Sequence, residues 1–256
     1  MSRADKIPWK RLSVEALAIV GSILLAFSID AWWEDLARST DEVESLELIR
    51  RDLEASIELL EIHASYVAGA SQSALNAYAA LSGPGPYNRE YIRDEMLRVD
   101  RVTLKTPTAA YTELLSTGNL RVIQDRNLRD SIVRFYEAVE LAELIIQKNN
   151  DVFLDRQLMG AYYSQGLILI HTQSDVGDDE LNSVNKLVRK RLGEDFVHQL
   201  DPMWNFERDS REWQTLRSLL LNAAQIHIVG ELIARKKIVD ARGLLDSIEN
   251  WLNTRK

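Results

Sequence analysis

The feature that most constrains this chain lies near its start, where residues 12–33 read LSVEALAIVGSILLAFSIDAWW, a stretch of 22 residues in which only Glu15 and Asp30 are charged. At about 1.5 Å per residue a helix of that length spans roughly 33 Å, against a bilayer hydrocarbon core of about 30 Å. The two acids sit near the ends, where carboxylates can reach the headgroup region. Trp9 on one side and Trp32 and Trp33 on the other occupy positions favoured by interfacial aromatic rings. The segment therefore predicts a transmembrane helix over 12–33, with 1–11 as a tail before it and 34–256 as a domain on the far side. Arg3, Lys6, Lys10 and Arg11 precede the segment, whereas Glu34, Asp35, Asp41, Glu42, Glu44 and Glu47 follow it. By the positive-inside rule this places the N-terminus in the cytoplasm of a bacterial cell and the bulk of the chain outside its inner membrane. Two other readings stay open. Ala26-Phe27-Ser28 has the small-residue spacing of a signal-peptidase site, and the segment could be a buried core helix.

Within the segment Ala18, Ser22, Ala26 and Asp30 recur every four residues, and Glu15 projects from the same side. Small residues at this spacing let helices approach closely, and polar ones can bond across the contact. That pattern suits self-association or contact with another membrane protein. A monomeric anchor whose carboxylates reach for the interface fits equally well.

The rest of the chain reads as helix. From residue 34 to about 81 there is no proline, and Val43, Leu46, Ile49, Leu53, Ile57, Leu60, Ala64 and Val67 form one apolar stripe in steps of three and four. Ser82-Gly83-Pro84-Gly85-Pro86 ends that helix. A short helix is expected over 89–99, another opening at Thr106-Pro107 and closing at Gly118, and a long one capped by Asp125 and running through Leu128, Ile132, Phe135, Val139, Ala142 and Ile146 to Tyr162. Further helices are expected over 180–200 and from Asp209, paired with Glu212 as a capping box, to Asn253. The apolar run 167–170 has no partner strand and reads as a buried turn. The fold class is thus all-α: an N-terminal transmembrane helix continuing into an antiparallel bundle of about four long helices plus short ones.

Composition narrows the function. The net charge of −8, from 39 acidic and 31 basic residues, argues against nucleic acid as a partner. The absence of cysteine excludes disulfides and thiolate chemistry. His63, His171, His198 and His227 show no i, i+3 or i+4 pair of the kind a helical metal site uses, and His227 reads as a core or edge histidine. No phosphate loop, nucleophile elbow or kinase set occurs, so neither a cofactor nor an enzyme is expected. The basic runs Lys186 with Arg189-Lys190-Arg191, and Arg235-Lys236-Lys237, read as solvated helix faces or as contacts for anionic lipid. Trp204, Trp213 and Trp251 either plug the bundle or mark a docking patch.

One segment carries a resemblance. Thr108-Ala109-Ala110-Tyr111-Thr112-Glu113-Leu114-Leu115-Ser116-Thr117-Gly118-Asn119-Leu120, followed by Val122-Ile123, Leu128-Arg129 and Phe135-Tyr136, resembles the signature of a family of bacterial single-pass membrane proteins of unknown function. That family also begins with an apolar span opened by a glutamate and closed by a tryptophan and an acid. The resemblance implies an anchor plus a helical outer domain and supplies no catalytic residue. Read from the residues alone, Gly118 ends a helix, Asn119 caps backbone groups, and Tyr111, Leu114, Leu115 and Leu120 pack into the bundle. The function these features support is a membrane-anchored, non-catalytic sensor, scaffold or partner-binding protein. The alternative is a subunit of a membrane complex or small oligomeric channel that uses Glu15.

Overall fold

The computed structural model describes residues 9–164, 190–191, 204 and 206–255, with the helical residues 9–16, 18, 90 and 163 described for their backbone only. Every element among them is helical, and no strand occurs. The elements are α1 (Trp9–Ser82), α2 (Arg89–Leu97), α3 (Ala109–Ser116), a 3-10 turn (Asn119–Val122), α4 (Arg126–Asn149), a π-helical segment (Asn150–Met159), α5 (Gly160–Ser164) and α6 (Arg211–Asn253). The expected helix over 180–200, the run 167–170, His171, His198 and the basic run at 186–191 lie outside the described residues or nearly so.

Helix α1 is continuous over 74 residues, as the proline-free sequence predicts, and stops where Gly83 and Pro84 follow. Its apolar stripe is the core seam: Leu46, Ile49, Leu53, Leu60, Ala64 and Val67 are all buried. Against it packs α6, 43 residues long, which presents Trp213, Leu216, Leu220, Ala223, Ala234, Ala241, Leu244 and Ile248. Small residues at 223, 224, 230, 234 and 241 keep this antiparallel pair close. Helix α4 closes the bundle with Leu128, Ile132, Phe135, Val139, Ala142 and Ile146, the six positions its periodicity predicts.

The caps differ in part from expectation. Asp125 caps α4 as predicted, accepting a hydrogen bond from Leu128 N at 3.1 Å. Helix α3 begins at Ala109 instead of at Pro107, because Thr106 is held outside the helix: Glu143 Oε1 accepts from its N–H at 2.8 Å and its hydroxyl at 2.9 Å. Ser210, not Asp209, caps α6, accepting from Trp213 N at 3.4 Å. The side chain at 210 thus does what the capping-box spacing assigned to 209.

The expected span finds no support. Among the described residues no helix is long and apolar enough to cross a membrane. The uninterrupted run of described side chains from Ile19 to Trp33 has 15 residues before the acids Glu34 and Asp35. That is about 22 Å of helix, shorter than a hydrocarbon core of about 30 Å. The side chains of 12–16 and 18, which complete the predicted span, lie outside the description.

Candidate functional site

Two parts of α1 behave in opposite ways. From Glu42 onward one face is buried, whereas the large apolar side chains of 17–36 are exposed: Leu17, Ile19, Val20, Ile23, Leu24, Leu25, Phe27, Ile29, Trp32, Trp33 and Leu36 are 46–71% exposed. At 100° per residue, Ile23, Leu24, Leu25 and Phe27 point to all sides, so the apolar surface encircles the helix. Ser22, Ala26 and Asp30 are exposed on it as well. The Ser22 hydroxyl donates to Ile19 O and that of Ser28 to Leu24 O, both at 2.8 Å, so these polar groups are satisfied by their own helix. Trp32 and Trp33 are exposed beside one another, ring centroids 5.6 Å apart. Trp9, Glu15 and Ala18 lie on the same helix, their side chains outside the description.

Where α1 enters the bundle it is gripped by a collar built from the segment that carried the resemblance. Glu42 is fully buried, and its Oε1 accepts from Gln124 N at 2.7 Å. Ten residues on, Asp52 Oδ2 accepts from Ala110 N at 2.9 Å, satisfying an otherwise orphaned donor in the first turn of α3. Leu114 is buried against Leu46, Ile49 and Leu53, and Tyr111 and Leu120 pack at the edge of that cluster. The Tyr111 and Tyr136 rings stack with centroids 4.4 Å apart at 6°. Burial raises the Tyr136 hydroxyl pKa well above its ordinary value, and the nearby Asp52 carboxylate adds to the shift. Gly118 takes φ +71°, the left-handed turn expected of it. Leu115, expected inside, is 57% exposed, since it follows Leu114 by one residue and so points away from the face that α3 buries. Asn119 is exposed at the first position of the 3-10 turn.

The sequence alone assigns these carboxylates no structural role, Glu42 counting only as one of the acids that follow the apolar segment. A signal was present: Glu42 lies four residues before Leu46, in phase with the buried stripe. His63 also lies on that stripe, and the fold sets it across from His227 of α6; both line one small cavity with Val67, Asn149, Asn150 and Gly230. A search for helical i, i+4 pairs cannot find two histidines on different helices. The basic run on α6 is paired along its own helix, Arg235 with Glu231 at 2.7 Å and Lys237 with Asp240 at 2.8 Å. Trp213 is a core residue, stacked near Tyr87 and the half-buried Trp204. No group of three or more metal-ligating side chains occurs among the described residues.

No protein-family model matches this chain, and no curated protein or solved structure matches it.

Proposed function

We propose that this chain is a membrane-tethered, non-catalytic helical protein, anchored by the first turns of α1 and presenting its bundle to a partner outside a bacterial inner membrane. The observation that carries the reading is the apolar circumference of residues 17–36, which no other described residue covers. In water such a surface is costly, at roughly 25 cal/mol per Å² of apolar area, whereas lipid makes it favourable. A helix apolar all round is one surrounded by protein or lipid. The sequence 12–33 has the length of a span, and the basic residues before it with the acids after it support a cytoplasmic N-terminus. The collar then sits just beyond the membrane surface, where the bundle begins. The resemblance of residues 108–136 to a family of bacterial single-pass membrane proteins, read from the residues alone, points the same way.

Flotation of the full chain with phospholipid vesicles, followed by alkaline extraction, tests this. The expected result is co-flotation that survives alkali, and its loss in a Leu24→Lys, Leu25→Glu variant whose bundle stays folded by circular dichroism. Recovery of the wild type in the aqueous fraction, as an oligomer that hides these side chains among its own copies, overturns it.

A further inference from the structure

The waist of the bundle holds two buried histidines facing one cavity. His63 on α1 is 3% exposed and His227 on α6 is 2% exposed. Three of their ring nitrogens, Nδ1 and Nε2 of His63 and Nε2 of His227, have no hydrogen-bond partner among the described residues. The helices meet here at Gly230, where an added Cβ would make ordinary van der Waals contacts, 3.9 Å from Val67 Cγ1 and 4.0 Å from His63 Nε2. The cavity is about 10 Å³, the lower bound for a single water, so it admits no organic ligand. Its two imidazoles are also too few to enclose a metal ion. The ligand this site can take is a proton.

Its surroundings make protonation consequential. The lining side chains besides the histidines are Val67, Val102, Ile146 and Ile226 with the neutral amides of Asn149 and Asn150, and the charged group acting on His227 is Asp100, from the connector between α2 and α3. That connector is tied to the π segment at the same level: Asn150 Nδ2 donates to Val102 O at 2.9 Å, and Arg101 pairs with Asp155 at 2.5 Å. A π segment that begins at Asn150 is an irregular stretch of helix, of the kind found where elements shift. The waist has a small apolar cluster of its own, with Leu60, Ala64, Leu104, Ile146 and Ala234, and on either side lie larger ones, one around Leu46, Ile49 and Leu53 and one around Ala74, Ala77 and Leu81. Either can hold while the waist moves.

We propose that His63 and His227 form a proton-operated latch, in which protonation of the pair parts α1 from α6 at Gly230 and releases the 98–108 connector and the π segment. The latch follows from the waist's geometry and stands apart from the membrane reading. Closed, the imidazoles pack as neutral rings; open, they reach water and charge freely.

Hydrogen exchange of the full chain in detergent, read at pH 7 and pH 5 and corrected for intrinsic rates, tests it. Each ring stays neutral to about pH 4 when buried, against an ordinary 6.5. The opening equilibrium should therefore rise about 20-fold per histidine over that interval, roughly 400-fold for the pair. The gain is expected in 60–70, 98–108 and 223–234, with 46–53 and 74–81 still protected. A His63→Gln, His227→Gln variant should lose this response; if it does not fold, His227→Gln alone should retain about one 20-fold step. Equal pH responses in wild type and variant, or loss of protection in all segments together, overturns the latch.

Discussion

Glu42 Oε1 lies 2.7 Å from Gln124 N, joining the first buried residue of α1 to the strand-like connector that leads into α4. The carboxylate is fully buried, and its second oxygen, Oε2, has no partner among the described residues. Replacing it by alanine leaves the Gln124 N–H buried and unpaired, a penalty of about 1–3 kcal/mol. Glu42→Gln keeps an acceptor oxygen and should lose less than Glu42→Ala. Urea denaturation of the two variants checks the order, and equal losses would mean that neither the side-chain volume nor a neutral acceptor oxygen replaces the carboxylate.

Two glycines that look alike in the sequence make opposite predictions. At Gly118 the backbone has φ +71° and a Cβ meets nothing within 4 Å, so the cost of Gly118→Ala is conformational alone, about 1 kcal/mol. Gly118→Asn should cost less, since asparagine tolerates the left-handed region. Gly230 is helical, and its Cβ would make ordinary van der Waals contacts at 3.9 and 4.0 Å. Gly230→Ala should therefore raise stability, by up to about 1 kcal/mol from helix propensity. Thermal melting of both variants decides the pair, and a destabilised Gly230→Ala would show that the α1–α6 contact has no room for a methyl group.

Acid stability should reflect the buried histidines. Burial lowers both His63 and His227 to about 4, and proximity of the two rings adds to the shift on His227 while Asp100 opposes it. With the folded value below the unfolded 6.5, the unfolded chain binds more protons throughout the interval between them. The stability these neutral rings carry is thus fully present above pH 6.5 and is lost as pH falls toward 4. The slope is about 1.4 kcal/mol per pH unit for each fully differential histidine, an upper bound here because His63 keeps some contact with solvent. Denaturant midpoints at pH 7, 6 and 5 measure it, and a slope unchanged by His63→Gln assigns the acid sensitivity to other groups.

How far the sequence could be read follows from the range of each interaction. The α1 and α4 stripes were legible because a 3.6-residue period is a local property, and the left-handed Gly118 because only a turn explains glycine there. Helix starts were misplaced by two residues at α3 and one at α6, where a distant carboxylate, Glu143, or an adjacent serine, Ser210, won the competition for backbone donors. The collar and the histidine pair were illegible for a related reason. Glu42 with Gln124, Asp52 with Ala110 and His63 across from His227 depend on which helices pack together, and no spacing along one helix encodes that.

The two halves of α1 can be separated by a pair of matched truncations. Leu46 is completely buried at the collar, so Leu46→Ala removes a side chain from a packed core and should cost about 2–5 kcal/mol. Leu24 is 61% exposed, and no described residue packs against it, so Leu24→Ala should leave the unfolding free energy of the bundle within about 0.5 kcal/mol of wild type. The same change reduces the apolar surface that holds the tether, and it should lower vesicle affinity about two- to tenfold, from roughly 0.5–1.5 kcal/mol of lost transfer energy. Denaturation reads the first effect and vesicle partitioning the second. A Leu24→Ala variant that unfolds like Leu46→Ala would mean that residues 17–36 belong to a packed interface, and the helix would then be an assembly element between protein chains instead of a lipid anchor.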